Sequence, residues 1–476
     1  MIHQTKFWVR TMLLVCVCVV IAGLSACNLP ASAAAGPQQA TPAQAPLQEQ
    51  SAPPASGSPA EAEPPPQAVS ADLIQPEDLE YLGAFRLPEG SGGSNWEYSG
   101  HGLTYYPQGD PNGADDGFPG SLFGFGHDQH LLVSEISIPA PVLSKNLDDL
   151  NTAETLQPFQ DISGGLFDPQ SVDIPRGGLA YLPPAGEQDS PRLHFAFGWH
   201  FQEFGDASHG WSALDLANPQ AAGLWVFDGY TPYVTNDYLF EIPDPWAAAL
   251  DGYRLASGRA REGPWSGRGP ALFAYAPWQD GNPPAGGASL AAVKPLLLYG
   301  VQEPGNVEIV SDESQAVNGY GDSDHWWGGA WLTAGEKAAV VFVGTKAMGE
   351  SWYGFANGVV WPYDCAEQDP PTCPEVPEWP YDNRGYWAEG YQAQIIFYNP
   401  ADLVAVARGE MESWKPQPYA TLVLDDYLFD PNIHLEDYKR DLVGAAAFDR
   451  ERGYLYVVER LADEYKSVIH VFRVRP

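Results

Sequence analysis

Bases are scarce in this 476-residue chain: 24 lysines and arginines stand against 61 aspartates and glutamates, a formal charge of −37. That shortage excludes nucleic acid and anionic lipid surfaces as partners, because both require a basic footprint. Lys6 and Arg10 against Glu49, Glu61 and Glu63 leave the first 70 residues at −1, so the remainder carries −36. Helical periodicity is almost absent, and no contiguous metal motif of the His-Glu-x-x-His type occurs. Beyond the N-terminal segment, no apolar run is long enough to span a bilayer. Cysteine is sparse at five. What is present is apolar substance: hydrophobic residues at 44% and aromatics at 13% suffice for a sizeable core.

The N-terminal apolar stretch, Met12 to Ala22, follows Lys6 and Arg10 and closes on Leu24-Ser25-Ala26-Cys27. It is short for a membrane helix, and small residues precede the cysteine. The pattern resembles a bacterial lipoprotein signal peptide over residues 1–27. The resemblance implies lipidation of Cys27 and anchorage to the outer side of a membrane, each buried methylene adding about 0.8 kcal/mol. An ordinary secretory signal or a membrane helix is the competing reading. Residues 28–71 are mostly Pro, Ala, Gln, Ser and Glu and contain no aromatic residue. Such a segment cannot offset the entropy of ordering its backbone and serves as an extended tether. Cys16 and Cys18 leave with the signal. Cys365 and Cys373 remain and, in an oxidising compartment, are expected to form a disulfide across a short Pro-rich and acidic loop.

Residues 72–476 read as all-β: short runs of Val, Ile, Leu, Phe and Tyr are bounded by Gly, Pro, Asn and Asp. A glycine opening a small or apolar strand recurs at Gly102, Gly178, Gly269, Gly329 and Gly444, at uneven spacings of 76, 91, 60 and 115 residues. Apolar second strands follow at Ser121 to Gly126, Arg192 to Trp199, Pro295 to Val301, Ala338 to Lys346 and Tyr454 to Arg460. Third strands follow at Leu131 to Ile138, Leu224 to Asp228, Gln394 to Asn399 and Val468 to Val474. Small residues suit the crowded innermost strands of a β-propeller, and continuous hydrophobicity suits strands buried between blades. Five blades are expected, with long insertions in the second and fourth. The strand missing from the last unit is supplied by Glu80 to Leu87, which closes the ring and protects both sheet edges. A six- or seven-bladed ring, or a pair of sandwiches, is the alternative.

Loops that enter the innermost strands of a propeller share one mouth with those joining second and third strands, and function sits on such loops. Each entering loop carries a basic or imidazole side chain: His101, Arg176, Arg268, His325 and Arg440. Converging, they would form a positive collar suited to a carboxylate, sulfate or phosphate. The alternative is structural pairing, for instance of Arg440 with Asp441. Lys346 lies on the second set of loops, as do His127, His130 and His200, weak candidates for a metal bound between blades. Asp128, Glu203, Glu303, Asp324 and Glu350 are loop acids in the same region. Glycoside cleavage needs a protonated carboxyl and a second carboxylate at a defined separation, and no motif selects such a pair. Seven of sixteen tryptophans lie between Trp326 and Trp387. Trp326, Trp327 and Trp352 are therefore candidates for stacking on sugar rings, against a satellite core for the fourth-blade insertion. The expectation is a surface-anchored propeller that binds or cleaves a polysaccharide or other anionic ligand. A non-catalytic interaction module and a metal-dependent oxidoreductase are the alternatives, and no catalytic residue or cofactor is assignable from the motifs.

Overall fold

A computed structural model describes residues 71–113, 117–259 and 263–476. Cys27, the signal and residues 28–70 lie outside the described residues. The short apolar runs form five antiparallel sheets. Blade I contains Leu103–Tyr106, Ser121–Phe125, Val133–Ser137 and Thr155–Gln160. Blade II contains Asp173–Leu182, Arg192–His200, His209–Ser212 and Ala222–Phe227, with Ser289–Leu290 added in parallel at its outer edge. Blade III is Tyr238–Glu241, Leu255–Gly258, Leu272–Tyr275 and Val293–Leu297. Blade IV is His325–Ala334, Lys337–Gly354, Gly385–Tyr398 and Ala420–Val423. Blade V comprises Val443–Asp449, Tyr454–Asp463 and Lys466–Val474, and its outermost strand is the N-terminal Leu79–Arg86.

The first strand of each blade touches the first strand of the next, and blade V returns to blade I, so the five innermost strands encircle one axis. This is a five-bladed β-propeller. Closure by the N-terminal strand is as the sequence implied. Its Tyr81 hydroxyl lies 2.9 Å from Nδ1 of His470, whose Nε2 lies 2.8 Å from the buried Glu459 carboxylate. Arg86 forks onto Asp463 with two bonds of 2.9 Å.

The core lies between blades rather than at the axis. Phe123 and Val133 of blade I meet Phe195 and Phe197 of blade II. Val341 and Ile395 of blade IV meet Leu455 and Phe472 of blade V. A strand covered on both faces cannot alternate polar and apolar residues, so Val340 to Val343 are all buried. Near the axis the strands crowd, and glycine permits it. A Cβ on Gly178 would lie 2.9 Å from the Asp237 carbonyl oxygen, and one on Gly328 2.6 Å from that of Gly444.

The third unit is phased differently from the sequence reading. Tyr238–Glu241 is its innermost strand, Leu272–Tyr275 its third, and Val293–Leu297 its outermost. Gly267 and Gly269 adopt positive φ in a turn packed on Tyr299, so they do not open an axial strand. Leu272–Tyr275 imitates an innermost strand because inter-blade burial also makes it wholly apolar. In blade II, likewise, the third strand is His209–Ser212, and Ala222–Phe227 is the fourth.

Candidate functional site

Residues from the leading ends of all five innermost strands converge: His101, Arg176, Asp237, Trp327 and Asp441. The buried Trp327 indole sits among them. The Arg176 guanidinium lies 4.8 Å from its ring centroid, the His101 ring 4.7 Å away and the His325 ring 5.7 Å away. Below this plug, between Gly102, Gly178, Gly329 and Ala445, only about 10 Å³ of space remains.

Each charge in the collar faces an opposite one. Arg460 donates to Asp128 at 2.7 Å and to Asp441 at 3.4 Å, and also to the Ser99 carbonyl. His101 lies 3.1 Å from Asp128, and His325 2.8 Å from Asp441. Asp237 lies 3.9 Å from Arg176 and 3.6 Å from the fully buried Arg259. Burial alone would raise the Asp128 and Asp441 carboxyls, but His101, His325 and Arg460 hold both below the usual carboxylate range. Both are therefore anionic at neutral pH and poorly suited to protonating a leaving group.

Of the expected positive collar, His101, Arg176 and His325 come together, balanced by three aspartates. Arg268 does not join them, because the strand it precedes is the third of its blade. It lines a separate cleft of about 490 Å³ with Lys346, Tyr320, Asp322, Met348 and Ser351. There its guanidinium lies 5.9 Å from the centre of the Tyr320 ring; among the described residues it makes no hydrogen bond or close ion pair, and its charge adds to the Ser314 hydrogen bonds that hold the exposed Asp312 carboxyl below its usual range. Its backbone is fixed on both sides, donating to Tyr299 and accepting from Val317. Lys346 donates to Asp324 at 2.7 Å, which employs that expected loop acid.

Arg440 does not pair with Asp441, which His325 and Arg460 occupy. It lies instead 5.0 Å from the Trp387 ring centre without a protein acceptor among the described residues. Burial lowers its pKa, with Asp441 opposing. Trp326 belongs to the apolar core shared by blades II, III and IV, away from the collar. Trp352 donates to the Phe355 carbonyl and pairs across the strand with Trp387, in an arm where Blade IV's second and third strands extend outward. Beyond that arm Cys365 and Cys373 form the expected disulfide.

His127 and His130 stack 4.8 Å apart, and His130 engages Ser94. Burial and His130 lower the His127 pKa. His200 stands apart against Phe201 and Trp265 on blade II. Among the described residues no three His, Cys, Asp or Glu side chains gather as a metal-binding group. Glu203, Glu303 and Glu350 are exposed. Sequence reasoning missed Asp237 and Tyr320, and it placed Trp387 in the tryptophan cluster without joining it to Arg440. Asp237 had a signal, since it directly precedes an apolar run, but no glycine marks that run as axial.

No family model matches the chain, and no curated protein matches it.

Proposed function

We propose that this propeller is a lipid-anchored, extracytoplasmic binding module for an acidic carbohydrate, held by its carboxylates at the rim of the collar face. One observation carries the reading: Arg268 and Lys346, from different blades, line one cleft with an aromatic ring, and among the described residues the Arg268 guanidinium is not committed to a hydrogen bond or close ion pair. Its electrostatic coupling is to the exposed Asp312. The cleft's size is that of a small-ligand site. Arginine's planar fork matches a carboxylate, and an aromatic residue, Tyr320, lies beside it in the cleft. Arg440 over Trp387 repeats the combination of cation and aromatic ring. Two such positions suit an oligosaccharide with repeated acid groups. In a body of charge −36, local cations also concentrate an anionic ligand where it is wanted.

Binding is favoured over cleavage because the collar carboxylates are held ionised by their partners. Anchorage rests on Leu24-Ser25-Ala26-Cys27, and residues 28–71 then serve as the tether. The test is calorimetric titration with uronic-acid oligosaccharides and with the same chains after reduction of their carboxyls, followed by an assay for new reducing ends. Binding of the acidic chains alone, with no new ends, is expected. Equal binding of the reduced chains, or no binding of either, overturns the carboxylate reading, and new ends overturn the non-catalytic one.

A further inference from the structure

The trailing ends of the same five strands form a cup of about 310 Å³ on the opposite face. At ~30 Å³ per water it has room for roughly ten waters, or one small organic ligand. Every blade contributes to its lining. Aromatic walls come from Tyr105, Tyr181, Phe240, Trp331 and Phe448, and small residues such as Gly329 and Ala446 form the floor. Polar groups interrupt the rings: Gln108 and Glu451, both exposed, with Glu241, Asp449 and Arg450.

Each charged group in the cup already has a partner. Glu241 is engaged by Arg254 and lies 3.5 Å from Arg450. Arg450 also donates to the Trp331 carbonyl and to Thr333. Asp449 accepts from the backbone N–H groups of Glu451 and Arg452 and lies 3.4 Å from the Arg452 guanidinium, which is equally close to Glu451. An ionic ligand would have to compete with these pairs. An uncharged ligand would not, because a paired carboxylate keeps spare lone pairs and Gln108 offers both a donor and an acceptor. Aromatic faces beside neutral pairs of donors and acceptors match a ring with one apolar face and a hydroxylated edge.

We infer that this cup is a second ligand site, taking an uncharged hydroxylated ring such as one neutral hexose unit. It is independent of the acidic-carbohydrate reading, since no residue is shared between the cup and the Arg268 cleft.

The experiment is saturation-transfer NMR on the whole protein with methyl glycosides of glucose, galactose, mannose and N-acetylglucosamine, and with choline as the cationic probe. At least one glycoside is expected to bind and choline to give no signal. Phe448→Ala removes a wall and should weaken glycoside binding by about tenfold. Gln108→Ala, on the exposed rim, should weaken it by a few fold without the risk to folding. Arg268→Ala should leave it unchanged. Silence from all four glycosides overturns the inference, as does binding indifferent to both Phe448→Ala and Gln108→Ala. Preference for choline also overturns it, and loss on Arg268→Ala returns the signal to the other face.

Discussion

The two ends of the propeller axis are built from the same five strands, yet one is closed by charge and the other left open. At the leading ends His101, Arg176, Asp237, Trp327 and Asp441 fill the axis, and Arg460 ties two aspartates together. At the trailing ends, rings and small residues leave a cup. The difference shows what charges on a small ring can do. Brought close to an axis and out of water, cations require nearby anions, because an unpaired buried charge costs several kcal/mol. A collar of five bases was therefore an unstable expectation, and the chain supplies three aspartates to balance it. At the rim, in contrast, Arg268 and Arg440 lie beside aromatic rings without a close ion pair among the described residues.

The largest expected effect breaks both ends together. Deleting Glu80 to Leu87 removes the strand that closes blade V and with it the buried Phe85 and Leu87. Together with Ala84 and the strand's hydrogen bonds, this amounts to roughly 5 kcal/mol or more at about 1.5–3 kcal/mol per large apolar side chain. Deleting residues 28–70 should leave the thermal midpoint in place. Equal midpoints for the two deletions would refute closure by this strand.

Next in size is a change confined to the leading ends. Asp441→Asn leaves His325 and Arg460 short of a buried anion and should cost about 3–5 kcal/mol at neutral pH. Its pH signature follows from the depressed pKa. A carboxyl lowered by folding stabilises above the unfolded value of about 3.9, and that contribution is lost as pH falls toward the folded one. Unfolding of the parent protein should thus steepen below about pH 4, and the variant should lose part of that acid limb. A variant with the parent's midpoint and acid limb would mean that the collar pairs contribute little.

Much of this was legible in sequence because the propeller writes its crowding into composition. Gly102, Gly178, Gly329 and Gly444 mark axial strands, and the apolar runs that follow mark strands buried between blades. Blade III was misread for a physical reason. Its axial strand Tyr238–Glu241 begins with a tyrosine, whereas the glycines at 267 and 269 serve a turn against Tyr299. That single slip placed Arg268 on the axis and concealed Asp237. The partners of the collar were illegible for another reason. Arg460 meets Asp128 across 332 positions, a distance that no local motif reports.

The smallest predicted effect separates a free rim cation from a locked axial one. Arg268→Lys keeps the charge and leaves the fixed backbone between Tyr299 and Val317 untouched. What it removes is the planar fork, which can hold both oxygens of a carboxylate while lying near the Tyr320 ring. Affinity for an acidic oligosaccharide should fall by roughly 1–3 kcal/mol, the range of a hydrogen bond to a charged group. The thermal midpoint should not move, because among the described residues the guanidinium satisfies no protein acceptor. Arg176→Lys, by contrast, should lower the midpoint, since that side chain packs on Trp327 beside Asp237. If Arg268→Lys binds every acidic saccharide as the parent does while its fold is intact, the cleft does not hold the ligand. If its midpoint falls as far as that of Arg176→Lys, rim and axis obey the same rule, and the contrast between them fails.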